Sequence, residues 1–362
     1  MNTSTLSAAT IVGIGESTRF AHETFTLRDT LFRDLVEHHN FRTLAVQDSA
    51  DVGKALDAYV REGKGSPTEA LDNAWRPWRT KEMAATLAWL REFNESHPDD
   101  QVTVIGIKPT QAKREDYDAI LNAVRAQAPD HLAELAAHLD PIRTAHTVDE
   151  HVQRARGTHL GRPFKDHAHD ASALLATIPG LDENIRARMA LIEEFHNHSV
   201  AGRGSFAGEA EVWAASIIDH YERTGRRTVY WDGIAHVSAE ATTFGKTAAE
   251  GAHASVGSVL REHFGRDYAS VAIGFHHGNL GVVDVPPPAS DFLDADLGDR
   301  GRPVLWLDMR TDPITSPAKM RSISGVYDPD RDAKEYLAID NVARAFDLLV
   351  HIREVTPVGW LP

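Results

Sequence analysis

Short β-branched runs punctuate the chain: TIVGI at 10–14, RTLAV at 42–46, QVTVIGI at 101–107, TVYW at 228–231, SVAIGF at 270–275 and RPVLWL at 302–307. Longer helical patterns such as LRDTLFRDLVEHH and KEMAATLAWLREFN separate them. Strands alternating with helices predict an α/β fold, with a largely parallel central sheet flanked by helices. In a parallel sheet all carboxyl ends lie along one edge, where open α/β proteins hold their ligands. Here each run stops in polar residues: Glu16, then Gln47 and Asp48, then Lys108. Asp232 and His236, His276 and His277, and Asp308 and Arg310 follow in turn. The expectation is one cleft in which these scattered residues meet.

Residues 112–225 break the rhythm. EDYDAILNAVRAQ, PDHLAELAAHL, ALLATI, ENIRARMALIEEFHNH and EAEVWAASIIDHYERTG all carry apolar residues three and four apart. They predict a helical insertion, placed to roof the sheet edge, within a single domain spanning 1–362. VDVPPPASD at 283–291 reads as a stiff surface segment, because consecutive prolines favour extended chain.

Several chemistries are excluded or weakened. There are no cysteines, so disulfides, thiolate metal sites and cysteine nucleophiles are absent. The net charge of −15 argues against a nucleic-acid or anionic-membrane partner. MNTSTLSAAT has no basic region or long apolar core, and no apolar stretch approaches the roughly 20 residues of a membrane helix. A cytoplasmic protein is therefore expected. Gly13 and Gly15 imitate a dinucleotide loop, but Thr18 stands where its third glycine belongs. The glycines are instead expected to make a tight turn that delivers Glu16 to the cleft. FGKT at 244–247 imitates the end of a phosphate loop, yet Glu240 occupies the position of its first glycine. G-x-S-x-G and H-E-x-x-H are both missing. The pairs His167/His169 and His196/His198 fall on different faces of a helix. No metal site is expected, and no cofactor.

An ordered set of blocks resembles the erythromycin esterase family. GESTRFAHETFTLRDTLFRDLVEHHNFRTLAVQDS is similar to its opening pattern, GExxHxxxEFxxLRxxLxxxLxxxxGFxxxxxE. WRTKEMAATLAWLREFN resembles the family's W…E…WLR..N helix, VTVIGIK its GxD strand, and TVYWDGIAHVS its WxHNxHV segment. LREHFGRDYASVAIGF, DMRTDP, RSISGVYDP and AFDLLVHIREVTP are similar to the remaining blocks. The resemblance implies an α/β sheet with inserted helices and a cleft of His, Glu and Arg residues. It also implies macrolide lactone hydrolysis, with a histidine base activating water and no established metal requirement.

Carried over by position, Glu16, Glu23, Arg28 and His236 stand where the motif has its acid, second acid, arginine and second downstream histidine. Other positions depart. Arg19 replaces the histidine proposed as base, Gln47 a glutamate, Lys108 an aspartate, and Gly233 the first histidine of the HNxH segment. Arginine cannot accept a proton near neutral pH, so the family mechanism cannot operate unchanged. The exchanges at positions 19, 47 and 108 make the cleft more positive, which favours a ligand carrying carboxylate or phosphate. The residues expected to be catalytic are Glu16, His236, Arg28, Arg19, His22 and His276. Glu23, Gln47, Lys108, Asp232 and His277 are expected to bind substrate, with Arg19 and His22 sharing a helix face. The expected function is cofactor-independent ester hydrolysis, or related acid–base chemistry, on a small anionic specialised metabolite. The alternatives are a non-hydrolytic biosynthetic enzyme on the same fold and a catalytically inactive binding protein.

Overall fold

Gly13 and Gly15 lie inside a strand rather than in a turn. In the computed structural model of the chain, strand β1 runs unbroken from Ile11 to Glu16. Residues 4–143, 162–198, 209–244, 252–281, 283–323, 327–328, 332 and 336–362 are described. The glycines are needed because the four-residue helix Ile234–Val237 packs hard against β1. A Cβ at Gly15 would come within 2.3 Å of Val237 Cγ2 and 2.8 Å of the Ile234 Cα. One at Gly13 would come within 2.3 Å of the Tyr268 hydroxyl. Close approach, not backbone conformation, demands glycine at both positions.

The chain divides into two compact units, Met1–Pro109 with Ala210–Pro362, and Thr110–Glu209. The first holds the sheet. Its strands are β2 (Phe41–Ser49), β3 (Thr103–Lys108), β4 (Arg227–Gly233), β5 (Thr243–Phe244) and β6 (Tyr268–Asn279). They continue with β7 (Asp284–Val285), β8 (Val304–Asp308), β9 (Ala318–Arg321), β10 (Tyr336–Ile339) and β11 (Leu348–Val355). The main order is β3-β2-β4-β1-β6-β11-β8, with β7 paired to the end of β6. From β3 to β11 the strands are parallel. Strands β5, β10 and β9 form a separate small antiparallel sheet.

Strand β8 runs antiparallel to β11, with Asp308 opposite Leu348 at the start of that strand. This reverses one expectation. Asp308 and Arg310 lie at the amino edge, where Asp308 accepts a 2.6 Å hydrogen bond from Thr5 Oγ1 and the Arg310 guanidinium donates to the Thr5 carbonyl. They take no part in a carboxyl-edge cleft.

The sheet is covered on both faces, as its nearly continuous apolar strands require. Val12, Ile14, Val46 and Trp231 pack with Phe25, Phe32 and Leu87, from helices His22–His39 and Lys81–Ser96, on one side. Ile11, Ala45, Tyr230 and Tyr268 pack with Trp213 and Ile217, from helix Glu209–Thr224, on the other. That helix is held to the sheet by Ser216 Oγ, which donates to the Ile107 carbonyl at 2.9 Å.

The second unit has its own core of Tyr117, Ile120, Val124, Leu135, Leu139, Phe164 and Ile192. His196 is buried there, 2.8 Å from the Tyr117 hydroxyl, as a core histidine. Gly245, Lys246 and Thr247 of the FGKT stretch lie outside the described residues. Among the described residues, no helix is long and apolar enough to cross a membrane.

Candidate active site

Register brings the first acids to neighbouring strand ends. Gly15 pairs with Asp232 and Glu16 with Gly233, so Glu16 and Asp232 close β1 and β4 one residue out of step, and Arg19 spans them. After Glu16 the chain bends but stays bonded along the edge. Ser17 N–H donates to Ile273 O at 2.9 Å, and Ser17 O accepts from Ile323 N–H at 2.6 Å. The helix begins only at His22. Arg19 therefore precedes the helix and reaches across the strand ends instead of sharing a helical face with His22.

Arg19 bridges the two acids. Its Nε donates to Glu16 Oε1 and its Nη2 to Asp232 Oδ1, both at 2.8 Å. Arg28 comes up from the helix His22–His39 and pairs with the other oxygen of Glu16. Asp232 also accepts from the Tyr230 hydroxyl and, at 2.6 Å, from Gly233 N–H. All four charged residues are at most 4 % exposed. Arg28 is caged by the rings of Phe25, Trp78 and Trp231 at 5.1–5.4 Å. Burial pushes the Glu16 carboxyl above its ordinary range against the pull of Arg28 and Arg19, and pushes the Arg28 guanidinium down. Charge balance nonetheless favours ionised Glu16, since an arginine holds its proton even when buried.

His236 belongs to the short helix that presses on β1. Its ring lies 5.4 Å from that of Trp213. Gly233 sits between this histidine and the network: a Cβ there would be 3.2 Å from Arg19 Nη2 and 3.9 Å from His236 Cδ2. As a residue His236 is partly buried, and protein atoms crowd its ring closely. That burial lowers its pKa below 6.5, with Asp232 opposing the shift and Arg19 and Lys108 adding to it.

Lys108 closes β3 at the same edge. Its ammonium lies 5.2 Å from the Trp75 ring and 4.8 Å from that of Trp213, while Arg19 stacks on Trp75 at 4.4 Å. Asp48 stands nearby, its two oxygens occupied by Ser49 N–H and Trp75 N–H, both at 2.7 Å. Burial raises its pKa, partly offset by those bonds and by Lys108.

Glu16, Arg19, Arg28, Asp232, His236 and Lys108 thus converge. The other expected residues lie apart from this network. His22 is half-exposed and bonds Glu82 at 2.8 Å. Glu23 accepts from Thr356 N–H at 2.7 Å and Thr356 Oγ1 at 2.6 Å, pinning the helix start to the segment after β11. Gln47 is buried; its carbonyl accepts from Trp78 Nε1 at 3.1 Å, and its side-chain oxygen has no hydrogen bond among the described residues. Ideal strand geometry in β6 would turn His276 and His277 to opposite faces. Their Nδ1 atoms instead meet at 2.8 Å, a contact that a hydrogen bond between the imidazoles stabilises, and the His276 ring packs on Gly298. Among the described residues, no three His, Asp or Glu side chains gather as a metal site.

Sequence reasoning missed Tyr230, Trp75 and Trp213. Tyr230 was findable, lying two residues before Asp232 on the same strand face. The tryptophans come from a loop and from a helix that was assigned to the insertion, and no local pattern links them to Lys108.

The sequence profile of the erythromycin esterase family matches residues 36–355. The chain belongs to the erythromycin esterase family. The match begins after Glu16, Arg19 and Arg28, so the placement of those three rests on the geometry above. Two Escherichia coli family members are similar over shorter stretches: erythromycin esterase type II, 30 % identical over 97 residues, and type I, 28 % over 141 residues. Those stretches are 27 % and 39 % of this chain, and only 23 % and 33 % of the relatives' own lengths.

Solved structures share the fold along 99 % of this chain. A Bacillus cereus protein superposes with TM-score 0.66 at 20 % identity, over 92 % of its length. A succinoglycan biosynthesis protein gives 0.64 at 20 %, over 91 %. An erythromycin esterase mutant in its open conformation gives 0.59 at 16 %, over 94 %.

Proposed function

We propose that this family member is a cofactor-independent enzyme that hydrolyses an ester of a small specialised metabolite, with His236 as general base. The observation that carries this reading is the state of His236. Burial holds its pKa below 6.5, so the imidazole is neutral at pH 7 and able to take a proton. Arg19 stands in place of the family's base and cannot act as one.

In the proposed reaction, water beside His236 attacks the ester carbonyl as the imidazole removes its proton. The negative charge of Asp232 favours the imidazolium that forms. Arg19 uses Nε and Nη2 on Glu16 and Asp232; its Nη1 makes no hydrogen bond among the described residues and is the donor for the developing oxyanion. Collapse of the tetrahedral intermediate expels the alkoxide, which recovers the proton from His236. Arg28 touches no substrate in this scheme. It holds Glu16, and Glu16 orients Arg19.

The Escherichia coli relatives are named as erythromycin esterases. Loss of the histidine at position 19 supports poor macrolide opening by this chain. The test is an assay of the purified chain against erythromycin and a panel of small esters. Turnover of a small ester, falling about 10²–10⁴-fold in His236→Ala, is expected. Native turnover in His236→Ala, or efficient erythromycin opening, would refute the scheme.

A further inference from the structure

Among the buried cations of the network, each guanidinium already has a carboxylate: Arg19 has Glu16 and Asp232, and Arg28 has Glu16. The arginines are therefore not where a substrate anion gains a full countercharge. Lys108 differs. Among the described residues no carboxylate oxygen lies within ion-pair distance of its ammonium and no protein acceptor takes its N–H groups; the nearby Asp48 is engaged by two backbone amides. Instead, two indoles flank it, Trp75 at 5.2 Å and Trp213 at 4.8 Å.

Cation–π attraction stabilises the charge there without consuming the ammonium's three donors. Indole walls also reduce the water around the ammonium, which strengthens an ion pair formed with an incoming anion. The ring of the same Trp213 lies 5.4 Å from that of His236. One small molecule can therefore meet the ammonium, the indole and the base together.

We infer that Lys108, held between Trp75 and Trp213, is the specificity-determining residue of the cleft, and that it binds an oxyanion of the substrate, a carboxylate or a phosphate, with the indoles packing on the adjoining apolar or planar body. The inference rests on reading the carboxyl edge as the substrate cleft, and it names the substrate class that the hydrolase reading leaves open.

The test is calorimetric titration of the full chain at low salt with phenylacetate, phenyl phosphate and neutral phenylacetamide. At least one anion is expected to bind about tenfold more tightly than the amide, as one charge-assisted contact is gained, and to weaken with added salt. Tighter phenylacetate marks a carboxylate substrate, and tighter phenyl phosphate a phosphorylated one. Lys108→Met should bring both anions to the level of the amide, and Lys108→Arg should keep part of the preference. Equal binding of all three probes to the native chain overturns the inference even if Lys108→Met does not fold, as does a preference that survives Lys108→Met. Ester turnover without anion preference would defeat this inference alone; anion preference without turnover would defeat the hydrolase reading alone.

Discussion

The Glu16–Arg28 pair makes an asymmetric prediction about stability. Glu16 has two cationic partners, Arg28 and Arg19, whereas Arg28 has one carboxylate and three aromatic rings. Glu16→Gln keeps the size and one acceptor but leaves a fully buried guanidinium without a countercharge. Breaking such a pair costs about 3–5 kcal/mol, and the remaining amide oxygen places Glu16→Gln near the lower end. Arg28→Met removes the buried charge and puts an apolar chain among the same rings, while Glu16 keeps Arg19 at 2.8 Å. Its cost is about one lost charged hydrogen bond, ~1.5–3 kcal/mol.

Once Arg28 is methionine, neutralising Glu16 strands no guanidinium at position 28. The double variant should therefore be more stable than the sum of the single effects implies, by about 0.5–3 kcal/mol of coupling. Urea unfolding followed by tryptophan fluorescence suits the question, because all seven tryptophans lie outside Thr110–Glu209 and report only on the sheet unit. A Glu16→Gln cost smaller than that of Arg28→Met, or strict additivity in the double variant, would refute the reasoning.

Two further outcomes follow from the site. Because burial depresses the His236 pKa, kcat/KM should rise with pH through an acid limb centred below 6.5. The same shift means that the unfolded chain protonates first as pH falls, so the stability this histidine contributes above pH 6.5 is lost between 6.5 and its lower folded value. Titrating activity and urea midpoints from pH 8 to 4 checks both, and a limb centred above 6.5 would contradict them. Gly233→His places a Cβ 3.2 Å from Arg19 Nη2, so it should destabilise the native chain, and it should cost less in an Arg19→His background. A double-mutant cycle by urea unfolding measures the relief, expected at about 0.5–3 kcal/mol.

Periodicity made the architecture legible before any coordinates. Apolar runs separated by amphipathic helices are enough to specify a parallel sheet, and the edge rule then placed Glu16, Asp232 and Lys108 along one line. Family likeness pointed to Arg28 and His236, and to the loss of a base at Arg19. None of that could orient β8, because strand direction at a sheet edge is a matter of connection and pairing rather than of local pattern. Asp308 and Arg310 moved to the opposite edge for that reason alone. Nor could sequence decide that Arg19 and Arg28 would satisfy Glu16 and Asp232 rather than a ligand. That outcome depends on the β1–β4 register and on the bent, bridged segment before His22. Lys108 read as one more strand-end lysine until Trp75 and Trp213, 33 and 105 positions away, closed on either side of it. Composition and spacing determine which side chains reach the edge; only tertiary packing decides which charges are already paired there and which remain for a substrate.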